Sequence, residues 1–369
     1  MTPRLSAAVK SLRRRMRRGR AEAPVLVAPP LIPEGVSAAA PRLIAVTTER
    51  HRATFRALAE VLAGQGVRLE RWGYPYLFAQ ESLPRAGYVL TDFDRLHPWQ
   101  LELAGRVYRR LVEAGVAVLN DPCRFVPRVA LLQRLRAEGI NGFGVWLPVA
   151  GEMPDRFPVF LRTIHAHRGA ASGLLGDAAA AGRALEAALA KGRVLSDLAF
   201  VEYAAEPVAG TAEGTGERPG TGLFRKHACY RVGDRLIRAL TVTEAGWVAK
   251  DGTLGAASDA DYAADLAEQT AYPHDALMRR VFDIAGARYG RVDFGMVAGR
   301  PQIYELNTNP NIRFSDDHPN ADRRTATVLI REALTEALAA LAPATPGPPI
   351  PTAELIRREP PHLLAFGQA

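Results

Sequence analysis

Three residues with oxygen-bearing side chains are brought together by the pattern of residues 291–310. Apolar and β-branched residues flank a tight turn at residues 298–300, which predicts a buried hairpin. With that loop, Asp293 falls opposite Glu305, and Asn307 shares a strand face with Glu305 because side chains alternate along a strand. Two buried carboxylates repel each other unless a cation lies between them. Oxygen ligands too few to enclose an ion suit Mg²⁺, which completes its shell with water and phosphate oxygens.

Simpler interpretations of the same residues remain open at this point. A D-x-x-G hairpin with a separate Glu and Asn also occurs as a polar sheet edge that binds nothing. The tripeptide at residues 293–295 matches the kinase D-F-G motif, but the chain has no H-R-D-x-x-x-x-N segment before it and no V-A-I-K strand, so a protein kinase is disfavoured. No G-x-x-x-x-G-K-[ST] segment is present either, which excludes a P-loop.

The hairpin resembles the magnesium-binding hairpin of the ATP-grasp superfamily. The residues that carry the resemblance are, in order, Arg291, Asp293 and Phe294 before the turn, and Glu305, Asn307, Thr308 and Pro310 after it. D-alanine–D-alanine ligase, glutathione synthetase and the ribosomal-protein glutamate ligases are members of this superfamily. More weakly, the resemblance extends over about residues 41–341. It implies an α/β protein with the ATP-grasp fold, in which two α+β lobes hold MgATP behind an N-terminal doubly wound lobe.

The order of predicted elements divides the chain into five parts. Strands at residues 43–46, 67–71, 87–90 and 116–119, with helices between them, predict a doubly wound α/β lobe. We therefore predict a basic segment and linker at 1–40, a pre-ATP-grasp lobe at 41–125, a central lobe at 126–203, a C-terminal lobe with the metal hairpin at 204–342, and a Pro-rich tail without assigned fold at 343–369.

The net charge of +8 comes from one end of the chain. Residues 1–20 hold eight Lys or Arg and no acid, so the other residues carry 39 cations and 39 anions. A nucleic-acid-binding domain usually spreads a basic face through the fold, so no nucleic-acid partner is expected. Within this segment, an apolar stripe predicts a basic amphipathic helix with weak contact to an anionic membrane surface, an unstructured tail being the alternative; the stripe is Leu5, Val9, Leu12 and Met16.

Chain length and the number of cysteines limit which class of protein this can be. A chain of 369 residues with 48% hydrophobic residues can form two or three lobes with a sizeable core. Cys123 and Cys229 are far apart and unaccompanied, which predicts neither a disulfide framework nor a zinc site and fits a reducing cytoplasm. The apolar run at residues 25–32 is short and interrupted by prolines, so a secretory signal is not expected.

The resemblance implies which side chains contact the phosphates of ATP. Residues 158–162 resemble a strand that ends in a phosphate-binding cation, usually Lys and here Arg162, whose planar fork is not equivalent to Lys. The loop at residues 163–173 resembles the lid over the phosphates and contains Ser172. Arg128 stands where the family often has a second Lys, with a surface arginine as the alternative.

Further nucleotide contacts are implied around a hinge between the two lobes. Residues 199–203 resemble the hinge strand, whose backbone contacts the adenine edge, with Glu202 and Tyr203 at its end. Lys226 lies on a strand that can face the cleft, and Lys250 matches a lysine near the γ-phosphate. A solvated lysine or a turn residue is the alternative for each.

The remaining implied residues concern the reaction and its substrates. Arg291 lies two residues before Asp293 and would stabilise an acyl phosphate and its tetrahedral adduct. Asn311, Arg313 and Ser315 follow the hairpin, where relatives contact the acceptor. Their pattern departs from that of D-alanine–D-alanine ligase. The implied cofactors are ATP and Mg²⁺, or Mn²⁺ in its place.

Three hypotheses follow for function. The favoured one is an ATP-dependent ligase that joins a small-molecule or peptide carboxylate to an amine through an acyl phosphate. The second keeps the fold but makes the protein a small-molecule kinase or a nucleotide-binding protein without turnover. The third is a membrane-associated scaffold whose active part is the basic segment. Neither the two substrates nor the oligomeric state follow from the sequence.

The scaffold hypothesis predicts that anionic vesicles pellet the full chain more efficiently than a chain that starts at Pro41, because only the former carries the basic segment. Sedimentation with vesicles of increasing anionic lipid content measures this. Equal pelleting of the two proteins rules the hypothesis out.

Overall fold

The computed structural model describes residues 27–165, 169–208, 220–314, 316–343 and 347–356. The basic segment at 1–20 lies outside the described residues, so its predicted helix is not tested. Within the described ranges, none of the helices has the length and apolar character needed to cross a membrane. The protein is α/β, as the sequence predicts, with three main sheets among these residues.

The first lobe is a parallel four-stranded sheet with helices on both faces. Its strand order is β2-β1-β4-β5. Alternate residues of β1 enter different cores: Leu43 and Ala45 pack with α1, whereas Ile44 and Val46 pack with α3. The predicted doubly wound lobe is therefore confirmed. Its elements are β1 (Arg42–Thr47), α1 (Arg56–Gly64), β2 (Arg68–Gly73), α2 (Tyr74–Phe78), β3 (Ser82–Leu83), β4 (Gly87–Leu90), α3 (Pro98–Glu113) and β5 (Val118–Leu119).

The central lobe is a three-stranded antiparallel sheet in the order β6-β8-β7, with one helix before it and one within it. Asp177 begins the second helix by accepting a hydrogen bond from the backbone N of Ala180 at 2.7 Å. The elements are α4 (Arg128–Ala137), β6 (Val145–Trp146), β7 (Val159–Thr163), α5 (Ala178–Ala190) and β8 (Leu198–Glu202).

The third lobe is an antiparallel sheet in the order β10-β9-β12-β13, with β11 paired to one end of β9. Two separate helices lie between β11 and β12, because Pro273 falls between them and cannot donate a helical hydrogen bond. The elements are β9 (Leu223–Val232), β10 (Arg235–Arg238), β11 (Val242–Ala245), α6 (Asp259–Ala267), α7 (Asp275–Ala285), β12 (Tyr289–Val297), β13 (Arg300–Asn307) and α8 (Ala321–Ala339).

Helix α4 joins the central and third lobes through two apolar faces. Leu131 and Leu135 pack in a core with Phe282 and residues of the β12–β13 hairpin. On the other side, Val129 and Leu132 pack against the sheet of the central lobe. The space between the two lobes is therefore closed at one end by a shared helix.

The Pro-rich tail is not wholly without structure, which corrects the sequence assignment for part of it. Strand β14 (Ile350–Pro351) pairs antiparallel with β3, and α9 (Ala353–Ile356) follows. Ile350 is buried in the core of the first lobe, and Thr352 donates a 2.7 Å hydrogen bond to the carbonyl of Gln80. Proline is tolerated here because the two-residue pair is a sheet edge.

Substitution of Ile350 by Ala should lower the free energy of unfolding by about 2–4 kcal/mol, because a buried side chain is lost and its cavity remains. Denaturant unfolding of the full chain measures this. Leu254→Ala, at a side chain that is 71% exposed, is the control with little expected change. Equal stability of Ile350→Ala and the unsubstituted protein would show that the tail contributes nothing to the first lobe.

Candidate active site

The hairpin of β12 and β13 places Asp293 opposite Glu305, as predicted, but its turn and its strand pairing differ from those predicted. The turn has two residues rather than three: Ala298 and Gly299 both have positive φ, of 48° and 73°, as in a type I′ turn. On its own, this turn would shift the register by one residue. A β-bulge, where the pairing shifts between Asp293 and Phe294, corrects the register and brings Asp293 opposite Glu305.

Tyr304 is the extra residue at this bulge. It pairs with no residue of β12, and its Oη donates a 2.8 Å hydrogen bond to the carbonyl of Ala204, just after β8. Gly295 makes room for the ring, because a Cβ there would lie 2.1 Å from Tyr304 Oη. Asn141 holds the adjoining residue: its amide donates to the carbonyl of Ile303 at 2.9 Å and accepts from the Ile303 N at 2.8 Å.

The carboxylate of Asp293 is buried and held by two cations. Arg291 donates from Nε to Oδ1 at 2.6 Å and from Nη2 to Oδ2 at 3.0 Å. Nζ of Lys226 lies 3.6 Å from Oδ2. Burial lowers the pKa of Arg291, but the charge of Asp293 outweighs this and raises the pKa above its ordinary value.

The carboxylate of Glu305 also faces two cations, which belong to the central lobe. Nη2 of Arg128, on α4, lies 2.6 Å from Oε2, and Nη2 of Arg162, on β7, lies 4.0 Å from it. Burial and the neighbouring Arg128 lower the pKa of Arg162 to about 10, while Glu305 opposes that shift. Nε of Arg162 is buried without a hydrogen-bond partner among the described residues.

These contacts correct the charge argument made from the sequence. The two carboxylates do not depend on a metal ion for compensation, because each already has two cations. The donor set nevertheless fits Mg²⁺: it consists of two carboxylates and an amide oxygen, all hard ligands. Asn307 Oδ1 accepts from the Asn309 N at 2.8 Å, which orients the amide. The described residues contain no cluster of three His, Cys, Asp or Glu, so any metal here relies on the amide, water or phosphate.

A cleft of about 760 Å³ lies above the hairpin, bounded by all three lobes. Most of the predicted site residues line it together. They are Arg162, Glu202, Tyr203, Lys226, Lys250, Arg291, Asp293, Glu305, Asn307, Asn311 and Arg313. Their assigned roles stay predictions.

Two predicted residues that the structure describes, Arg128 and Ser172, are not among those that line the cleft. Arg128 lies behind it and contacts Glu305. The hydroxyl of Ser172 accepts from the Leu161 N at 2.9 Å and donates to the Gly173 carbonyl at 2.8 Å, so it stabilises the turn of its own loop. Ser315 lies outside the described residues.

An aromatic slot at the hinge end of the cleft was missed from the sequence. The indole of Trp247 lies 4.7 Å from the ring of Phe160 and 5.9 Å from that of Tyr203, centroid to centroid. Burial raises the pKa of Tyr203. Phe160 could have been recognised, because it is two residues before Arg162 and so shares its strand face. Trp247 follows β11, and no periodic pattern indicates it.

Glu202, a predicted nucleotide contact at the end of the hinge strand, has partners within the protein. Its Oε2 accepts from the Gly144 N at 2.7 Å and lies 2.6 Å from Nη2 of Arg156.

The first lobe supplies a further group of lining residues, among them His51, Thr54 and Arg95. None was identified from the sequence. Nearby, the side chain of Thr48 makes no helix cap and donates to Asp92 Oδ2 at 2.7 Å. The only available signal was position: these residues follow the carboxyl ends of β1 and β4.

No family model matches the chain, and no curated protein matches it. Among solved structures, the chain is similar to the ATP-grasp ligase PsnB complexed with a minimal precursor, with 16% identity, a TM-score of 0.47, and 82% of this chain and 99% of the other covered. It is similar to D-alanine–D-alanine ligase from Bacillus anthracis complexed with ATP, with 12% identity, a TM-score of 0.42, and 80% and 99% covered.

A third similar structure is a RimK domain protein ATP-grasp from Sphaerobacter thermophilus, with 17% identity, a TM-score of 0.40, and 78% of this chain and 99% of the other covered.

Glu305→Gln tests the charge pairing. We expect the free energy of unfolding without ligand to fall by about 1–3 kcal/mol, because Arg128 and Arg162 lose their anion. The rise in melting temperature on adding MgATP should also shrink, because a metal ligand loses its charge. Thermal unfolding with and without MgATP measures both.

The matched control is Glu336→Gln, which changes a 64% exposed carboxylate in the same lobe that pairs with Arg235. It should leave both quantities close to those of the unsubstituted protein. A full MgATP-induced rise in Glu305→Gln would show that the hairpin is not the metal site.

Proposed function

We propose that the protein is an ATP-dependent ligase of the ATP-grasp class that joins a carboxylate to an amine. The observation that carries the proposal is one cleft with an aromatic slot at one end and the paired carboxylates Asp293 and Glu305, with their cations, at the other. An apolar slot suits a nucleobase, and hard oxygen ligands beside the guanidinium of Arg162 suit a metal-bound polyphosphate.

The nucleotide would lie along the cleft with its base against Phe160, Trp247 and Tyr203. Its phosphates would then reach Arg162, whose buried Nε has no partner among the described residues. Lys226 lies between Asp293 and the carbonyl of Lys250, at 3.6 and 3.3 Å, and so is placed for the same phosphates.

Asp293, Glu305 and Asn307 are the residues that would hold Mg²⁺. When bound, the ion would neutralise phosphate charge and align the terminal phosphate. The part played by the chain is to fix these ligands: Arg291 and Lys226 orient Asp293, Arg128 orients Glu305, and the Asn309 N orients Asn307.

The proposed reaction has two steps. An oxygen of the substrate carboxylate attacks the γ-phosphorus of ATP, the bond to the β–γ bridging oxygen breaks, and ADP and an acyl phosphate form. An amine then attacks the acyl carbon, phosphate leaves, and the amine nitrogen loses a proton to give the amide. Arg291 lines the cleft beside the metal ligands and would stabilise the negative charge of the acyl phosphate and its tetrahedral adduct.

A small-molecule kinase or a nucleotide-binding protein is the second candidate. It is favoured by one feature, Arg162 in the position where the resemblance implies Lys, because an arginine fork and a lysine point charge hold a phosphate differently. A phosphorylated product without an amide, detected by mass spectrometry, would identify a kinase. Tight MgATP binding without turnover would identify a binding protein.

ADP release in the presence of a panel of amino acids, short peptides and a cell extract tests the ligase. Asp293→Asn should lower the release rate at least about hundredfold, because it removes a charge that would neutralise the phosphates in the transition state. Asp234→Asn, at an 84% exposed carboxylate of the same lobe, is the control. Unchanged ADP release in Asp293→Asn would reject the metal assignment.

A further inference from the structure

The carboxyl ends of β1 and β4 meet at one edge of the cleft. The two strands are parallel neighbours. The connection that leaves β1 leads to β2 on one side, and the connection that leaves β4 leads to β5 on the other. In open α/β sheets, ligands bind at this switch point, outside the carboxyl ends of the strands. The roles proposed above leave this part of the cleft without a function.

Asp92, which follows β4, organises the polar groups at this edge. Its side chain is fully buried, and its φ of 61° is a left-handed conformation that Asp tolerates better than most residues. The carboxylate accepts from the N and Oγ1 of Thr48 at 2.9 and 2.7 Å, pairs with Arg95, and lies 3.5 Å from Nδ1 of His51.

These contacts keep Asp92 charged. Burial raises its pKa, but the hydrogen bonds from His51 and Thr48 and the charge of Arg95 together lower the pKa below its ordinary value. A fixed buried anion therefore holds the two side chains that line the cleft, Arg95 and His51, which are 20% and 34% exposed.

Arg95 retains an open edge toward the cleft. Its contacts with Asp92 and with Asp94, the latter at 3.7 Å, both run through Nη1. Nε and Nη2 make no hydrogen bond with the described residues, and together they form the pair of parallel donors that binds a carboxylate in two places.

The charges that line the cleft are unevenly placed. Among the described lining residues there are seven Arg or Lys and four Asp or Glu. All four acids belong to the hairpin or to the segment at the end of β8; they are Asp293, Glu305, Glu202 and Glu206. Arg95 is the only Arg, Lys, Asp or Glu that the first lobe contributes to the described lining residues, and Arg313 lines the same cleft from the loop after β13.

We propose that Arg95 and His51, oriented by Asp92, bind a second carboxylate of the substrate, distinct from the one that reacts. This inference rests on the proposed ligase function and gives it a substrate class: acids with two carboxylates, such as an acidic amino acid or a peptide with an acidic side chain. Arg95 is the binding residue, and Asp92 is a positioning residue.

Calorimetric titration in saturating MgADP tests the proposal, because the nucleotide covers the other cations of the cleft. The probes are pairs that differ by one negative charge: succinate and succinamate, L-glutamate and L-glutamine, and the tripeptides Ala-Glu-Ala and Ala-Gln-Ala. We expect at least one acid to bind about tenfold more tightly than its amide. Arg95→Gln should abolish that preference, and Arg95→Lys should retain part of it.

Asp92→Asn should weaken binding of the acid while the Kd for MgADP changes less than twofold, which a general loss of structure would not produce. Arg56→Gln, at a 75% exposed arginine of the same lobe, is the matched control and should keep the full preference. No preference for any acid over its amide, or a preference that survives in Arg95→Gln, would overturn the anion subsite. Failure of MgATP and MgADP to bind at all would instead overturn the proposed function.

Discussion

Two carboxylates face each other across the β12–β13 hairpin, and four cations from four different elements make that arrangement stable. Arg291 and Lys226 reach Asp293 from within the third lobe, and Arg128 and Arg162 reach Glu305 from the central lobe. An ion pair this buried stabilises little by itself, but the loss of one partner is costly. The relative position of the two lobes is therefore fixed by charge at the same place where α4 fixes it by apolar packing.

The bulge at Tyr304 is the backbone feature on which this pairing depends. Without it, the two-residue turn would place Glu305 out of register with Asp293, and a one-residue shift would turn its side chain to the other face. Asn141 and Gly295 hold the bulge from opposite sides, one by hydrogen bonds to Ile303 and the other by leaving space for the ring. A bulge beside a proposed active site thus re-aims a single side chain.

Local pattern explains why some features could be predicted and others could not. The doubly wound lobe and the pairing of Asp293 with Glu305 follow from strand periodicity, which acts over a few residues. The turn length could not be predicted, because two differences cancel in the register. The loop has one residue fewer than predicted, and the bulge adds one residue to β13. Structure at Ile350 was missed because its partner strand is more than 250 residues away in the sequence. Arg95 and His51 could not be recognised because they are brought together by contacts with Asp92, and these contacts join residues that follow two different strands.

The first lobe is joined at two points to the open end of the β12–β13 hairpin, where β12 begins and β13 ends. Asn120, with a φ of 67°, donates from Nδ2 to the carbonyls of Leu90 and Tyr289 at 2.9 and 3.0 Å, and its Oδ1 accepts from the N of Tyr289 at 2.8 Å. Thr54 donates to Oδ1 of Asn309 at 2.6 Å, just beyond the metal ligands. Because the buried amide of Asn120 is paired at both its nitrogen and its oxygen, it resists displacement, and we expect the proposed anion subsite to keep its position relative to the hairpin. The distance between the two carboxylates of a substrate, one at Arg95 and one at the hairpin, would then be set by this joint, so that substrate length as well as charge decides which acid reacts.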